Sequence, residues 1–201
     1  MAPRQIFFAR CTFMFTIGHS TLAIEMFVAA LQDNGVTLLV DVRTIPQSRF
    51  NPQFGQEALS ASLRSVGIEY RWMQALGGLR KARKDSINTG WRNANFRGYA
   101  DAMQTEAFQT ALQELMELDK NYAAVIMCSE AVPWRCHRSL IGDALLVHSR
   151  SVEDIFVAAT RKTHRKPHTL TPFARVEGTR LWYPGEPELP LTAENAPDRI
   201  S

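Results

Sequence analysis

The stretch Thr37-Leu38-Leu39-Val40 shows no alternation of polar and apolar residues, and residues 123–127 read the same way. A strand with one solvated face alternates; a strand that reads apolar throughout is covered on both faces, as in a parallel sheet between helices. That demand restricts the fold more than any other feature, because parallel neighbours need crossovers and the crossovers must supply the covering helices. The flanking sequence meets it. A β-branched and aromatic run at 12–17 ends in Gly18-His19-Ser20-Thr21, and Leu22, Met26, Phe27, Ala30 and Leu31 then recur at helical spacing up to Gly35. Strand, helix and strand with short joints form a right-handed βαβ unit.

The pattern continues with a helix over 56–66, a strand over 68–72, a helix capped by Thr105, a strand over 123–127, a helix from Cys136 to His148 and a short strand within 152–158. Residues 77–99 read as a long irregular segment and 173–183 as a small hairpin. The expected architecture is therefore a three-layer, mainly parallel, Rossmann-like or flavodoxin-like open α/β sheet with helices on both faces and a C-terminal hairpin. Residues 1–13 read as an N-terminal extension, 14–183 as one domain and 184–201, rich in Pro and acid, as a flexible tail. Met14 offers an alternative start, and Arg4 and Arg10 interrupt the apolar N-terminus too closely for a signal peptide.

Three Cys in 201 residues argue against a disulfide framework and for a reducing, cytoplasmic setting; no apolar run is long enough to span a bilayer. The chain has neither a glycine-rich dinucleotide fingerprint nor a phosphate-cradling Gly-Lys-Ser/Thr loop, so no nicotinamide cofactor, no ATP hydrolysis and no other cofactor is expected.

Ligands bind open parallel sheets beyond the carboxyl ends of the strands. Three strands end in polar clusters: Gly18-His19-Ser20, Asp41-Val42-Arg43, and the segment from Cys128 through Glu130 and Pro133 to Arg135, Cys136, His137 and Arg138. In a parallel sheet all three meet at one edge, which predicts a composite pocket.

These same residues carry a resemblance. Thr16-Ile17-Gly18-His19-Ser20, Asp41-Val42-Arg43 with Pro46, Ser48 and Arg49, Leu76-Gly77-Gly78, and Cys128-x-Glu130-x-x-Pro133-x-x-Cys136-His137-Arg138 together resemble the domain-of-unknown-function 488 family over residues 15–183, including Leu170 to Arg175. The resemblance supports the fold class and the choice of residues and implies no particular reaction.

Arg43, Arg49 and Arg138, beside helix N-termini after Ser20 and Pro133, form a set suited to phosphate or carboxylate, unless Asp41 and Glu130 pair with them as structural bridges. Cys136, flanked by Arg135, His137 and Arg138 in the first turn of its helix, is a candidate nucleophile; Asp41 and Glu130 are candidate acid and base. His19, Ser20, Cys128 and His137 complete the substrate-binding set. Cys128-x6-Arg135 is one residue too long for a tyrosine-phosphatase loop, and Glu130 inside it would repel phosphate. Zinc at Cys128, Cys136 and His137, with His19 or Glu130 as fourth ligand, is opposed by the eight-residue cysteine spacing and by the adjacency of Cys136 and His137, so no metal is assigned. The basic residues and aromatics of 77–99 and the cluster Arg161, Lys162, His164, Arg165, Lys166 and His168 suit an anionic polymer, against a net charge of only +3. The expected function is an enzyme acting on a phosphate-bearing small molecule or nucleic acid. The alternatives are a non-catalytic nucleotide or nucleic-acid binding module and, after it, a structural zinc site.

Overall fold

A computed structural model describes residues 13–158 and 160–185 of the chain. Six strands form one sheet in the order β3-β2-β4-β1-β5-β6, with β1 at Phe13–Gly18, β2 at Leu38–Asp41, β3 at Glu69–Trp72, β4 at Ala124–Cys128, β5 at Ser151–Val157 and β6 at Thr163–Pro167. The first five are mutually parallel where they pair, and β6 closes the edge antiparallel to β5. The order inserts β4 between β2 and β1. As the unbroken apolar runs require, every residue of β2 and β4 is buried.

The two faces of the sheet are covered by different helices. Phe15, Ile17, Leu39, Val125 and Met127 point to one side, where they meet Phe27, Ala30 and Leu31 of α1 (Ile24–Asp33) and Leu59 and Leu63 of α2 (Gln56–Arg64). Met14, Leu38, Val40, Ala124 and Ile126 point to the other, against α3 (Ala94–Ala102), α4 (Glu106–Asn121) and α5 (Arg138–Val147). The period-2 alternation within each strand thus separates two cores, giving three layers. A two-stranded antiparallel hairpin, β7 (Arg175–Glu177) and β8 (Arg180–Trp182), follows the sheet. Among the described residues no helix is long and apolar enough to cross a membrane.

Two expectations shift. Residues 77–99 are not irregular throughout: α3 begins at Ala94, where the Asn93 side chain accepts the Asn95 N–H at 2.8 Å. Gly98 masks this helix in the sequence, and the fold explains it, since a Cβ there would lie 2.6 Å from the backbone atoms Arg80 O, Lys81 C and Ala82 N of the segment crossing the helix. The helix expected from Cys136 begins only at Arg138. The extension and tail read at 1–13 and 184–201 lie almost wholly outside the described residues; of the tail, Gly185 donates its N–H to Thr89 Oγ1 at 2.9 Å.

Several basic residues of both clusters have structural partners. Arg80 donates to the carbonyls of Gly77 and Ala75, Arg83 pairs with Asp85, and Arg97 donates to Trp91 O. Trp91 stacks on Phe96 at 4.7 Å and packs edge-on against Phe173 and Tyr183. His164, Arg165 and Lys166 of the second cluster lie on β6, an exposed edge strand where Arg165 pairs with Glu153 and Lys166 lies over Phe156. Charge on an edge strand also blocks pairing with another chain.

A buried polar core joins the far side of the sheet. His168, just past β6, turns inward between Asp154 of β5 (Nδ1 to Oδ2 3.0 Å) and Asp143 of α5 (Nε2 to Oδ1 3.2 Å). Asp154 accepts from Thr16 of β1 at 2.5 Å, and Asp143 accepts from the Tyr183 hydroxyl at 2.9 Å and from the Thr171 N–H at 3.1 Å. Burial disfavours the imidazolium, but the hydrogen bonds and charges of the two aspartates outweigh it and raise the His168 pKa to about 9.

Candidate functional site

At the carboxyl edge of the sheet lies a cavity of about 630 Å³. Its lining includes His19 after β1, Arg43 and Arg49 after β2, Cys128, Ser129, Glu130 and Arg135 after β4, and Cys136 and His137 before α5. The composite pocket expected from three polar strand ends is therefore present. The segment that carries Arg49 also lines it through Thr44, Ile45, Gln47, Ser48 and Phe50, and one wall comes from residues the sequence did not single out for this pocket, Asn93, Asn95 and Phe96 at the start of α3.

Three of the singled-out residues, Asp41, Arg138 and Ser20, are not part of the cavity lining. Asp41 is fully buried, bound to Arg43 Nε at 2.9 Å and Nη2 at 2.5 Å and to the Tyr70 hydroxyl at 2.8 Å. Burial and the Asp41 charge together raise the Tyr70 pKa. Arg43 faces the cavity but is largely committed, since Nη2 also donates to Phe54 O at 2.8 Å and Nη1 turns to His19 Nε2 at 3.4 Å. Arg138, 1% exposed, donates Nη1 to Ile17 O at 2.9 Å and Glu130 O at 2.8 Å, and Nη2 to Ala131 O at 3.2 Å. It stitches the end of β1 to the loop after β4. Gly18 permits this, because a Cβ would run into the Glu130 carbonyl and come within 2.8 Å of Arg138 Nη1. Ser20, held at φ 46°, is not part of the lining. The structural-bridge alternative thus describes Arg43 with Asp41, and Arg138 bridges carbonyls. Of the arginines lining the cavity, Arg49 and Arg135 are the exposed ones.

His19 is buried and stacks on Phe54 at a centroid distance of 4.2 Å. Burial lowers its pKa, and its Nδ1 lies 2.8 Å from the Ser20 carbonyl, so the neutral ring donates there and presents the Nε2 lone pair to Arg43.

Cys128, Cys136 and His137 form the densest chemical group. Their ligand atoms all lie within 4.8 Å of one another. His137 Nδ1 is 3.9 Å from Cys128 Sγ and 3.7 Å from Cys136 Sγ, while its Nε2 sits 2.9 Å from the Val42 carbonyl oxygen. Both cysteines are free and buried. The adjacency that argued against this grouping is resolved by the backbone: a 3-10 turn at Pro133–Arg135 leaves Cys136 extended (φ −134°, ψ 143°), and His137 is already helical (φ −55°, ψ −20°). The abrupt change brings both side chains to one point. The Arg138 N–H then approaches Cys136 Sγ at 3.5 Å. A hydrogen bond from Cys136, aided by His137 and the Arg138 charge against the cost of burial, holds Cys128 well below the ordinary thiol range. That same bond, together with burial, raises Cys136. Cys128 is accordingly the more thiolate-like of the two.

Residues 23–145 match the family described as a domain of unknown function, DUF488. The chain belongs to this family. The family match spans α1 to β4, the cysteine and histidine loop and most of α5, and it stops short of β1 with His19 and of β5, β6 and His168. No curated protein and no solved structure matches the chain.

Proposed function

We propose that this protein is an enzyme acting on a phosphate-bearing small molecule bound in the cavity at the carboxyl edge of the sheet. The observation that carries the reading is the lining: Cys128, Cys136, His137 and Glu130 share one cavity with the exposed guanidiniums of Arg49 and Arg135. Buried thiols and a histidine that share a cavity with exposed cations suit an anionic substrate whose reacting atom sits inward. Arg43 and Arg138 serve as supports for the walls, and Arg49 and Arg135 take the anion. A reducing, cytoplasmic setting accords with two buried cysteines kept as free thiols.

The test is thermal unfolding in the presence of inorganic phosphate, mononucleotides and short oligonucleotides. A ligand at roughly 100 times its Kd adds about 2.7 kcal/mol to the folded state. Stabilisation by phosphate or a mononucleotide that Arg49→Ala with Arg135→Ala removes, followed by turnover that Glu130→Gln reduces, supports the enzyme. Stabilisation by oligonucleotides alone, fading with salt and insensitive to Glu130→Gln, replaces it with the binding module. Stabilisation by no member of the panel overturns the anion reading.

A further inference from the structure

We infer that Cys128, Cys136 and His137 form a three-ligand site for a borderline-soft divalent cation, zinc first, whose fourth coordination position opens into the cavity. The distances fit. With Zn–S near 2.3 Å and Zn–N near 2.0–2.1 Å in a tetrahedron, a sulfur and a nitrogen ligand sit about 3.6 Å apart. The two observed sulfur to Nδ1 separations are 3.7 and 3.9 Å, and all three ligand atoms lie within 4.8 Å of one another. A single imidazole nitrogen has one lone pair and can accept one good S–H hydrogen bond, so two sulfurs at this separation from the same nitrogen are better accounted for by an ion shared among the three.

The surroundings of the ligands point the same way. A carbonyl oxygen can only accept, so the contact of His137 Nε2 with Val42 O at 2.9 Å puts the ring proton on Nε2 and leaves the Nδ1 lone pair aimed between the sulfurs. A metal-bound histidine is held in this way, with its outer nitrogen donating to a backbone or carboxylate oxygen. The Arg138 N–H at 3.5 Å from Cys136 Sγ supplies the donor that a thiolate ligand takes. Two thiolates neutralise a divalent ion, and the soft donor set selects zinc over magnesium or calcium.

The site is open on one side. Cys128, Cys136 and His137 all belong to the cavity lining, and no fourth His, Cys, Asp or Glu joins their group among the described residues. Three protein ligands with a vacant fourth position are the arrangement of catalytic zinc, whereas structural zinc takes four. An ion there would act as a Lewis acid toward an oxygen of a bound substrate. The inference goes beyond the substrate reading above and stands without it.

The experiment uses the full chain carrying Cys11→Ser, purified under reducing conditions without chelator. Elemental analysis is expected to give about one zinc per chain. After exchange into Co²⁺, strong visible d–d bands and a near-ultraviolet thiolate-to-cobalt band report a tetrahedral sulfur-ligated site. His137→Gln and Cys136→Ser, each confirmed folded by circular dichroism, should weaken Co²⁺ at least about tenfold. Arg49→Ala should leave the cobalt spectrum unchanged while weakening phosphate; a wild-type chain that shows the cobalt bands but binds no phosphate overturns only the substrate reading. Less than about a tenth of an equivalent of metal, with no sulfur-to-cobalt band in folded wild-type chain, overturns the metal site.

Discussion

Replacing His168 by Gln removes the cation held between two buried carboxylates, and the pH dependence of that loss follows from the geometry. His168, Asp143 and Asp154 are 6%, 0% and 9% exposed at the side chain, so solvent screening is slight. A histidine whose pKa rises from 6.5 to about 9 on folding stabilises the native state fully below the unfolded value, and that stability is lost as pH climbs through the folded value. At about 1.4 kcal/mol per pH unit, the full contribution is on the order of 3 kcal/mol. Roughly 2.5 kcal/mol of it remains at pH 7, about half is gone by pH 8, and almost none survives at pH 10. Urea unfolding of wild type and His168→Gln across pH 7–10 isolates this group, because cysteines, lysines and tyrosines titrate in both chains. The stability gap between them should narrow by about 2.5 kcal/mol as pH rises. A gap constant to within about 0.5 kcal/mol would refute the assignment of His168 as a native-state imidazolium.

Arg43→Ala leaves Asp41 buried beside Tyr70 without its cation, and should cost about 3–5 kcal/mol in denaturant unfolding, whereas Tyr70→Phe, removing one hydrogen bond to Asp41, should cost about 1.5–3 kcal/mol. Gly98→Ala sets a Cβ against three backbone atoms at 2.6 Å and should free the 77–90 segment from α3, read as faster hydrogen exchange there with the sheet still protected. Asp119 on α4 is buried, neither carboxylate oxygen has a hydrogen-bond partner, and burial raises its pKa; Asp119→Leu should therefore stabilise the protein at pH 7 by on the order of 1 kcal/mol, with the gain shrinking as pH falls toward 4. Scanning calorimetry at the two pH values checks both sign and trend.

The fold was largely legible because its signals are local. Unbroken apolar runs at β2 and β4 required cover on both faces, and periodicity placed α1, α2 and α4 within a turn of their positions. The composite pocket followed from three polar strand ends in a parallel sheet. Division of labour among its residues was not legible, because it depends on which side chain reaches which partner across the sheet. Arg43, Arg49 and Arg138 look alike in sequence; only packing assigns the first to Asp41, the last to three carbonyls and leaves the middle one exposed. Adjacency argued against Cys136 and His137 sharing a point, and the different backbone conformations of these two residues bring them together. The His168 cluster had a signal that went unread: Asp143 interrupts the apolar stretch from Leu140 to Val147 and Asp154 sits directly before Ile155-Phe156-Val157, and a carboxylate buried there needs a partner.

The position of β1 has a consequence for how the chain is made. Phe15 lies between Val125 and Glu153 in the sheet, so β1 leaves the ribosome with its two neighbours synthesised more than a hundred residues later. At 5–20 residues per second it waits roughly 5–30 s with Phe13, Phe15 and Ile17 uncovered, while β2 and β3 can already pair. The nascent chain thus carries an unmatched apolar strand until β4 and β5 are made, and this segment is where a holding chaperone would be expected to bind.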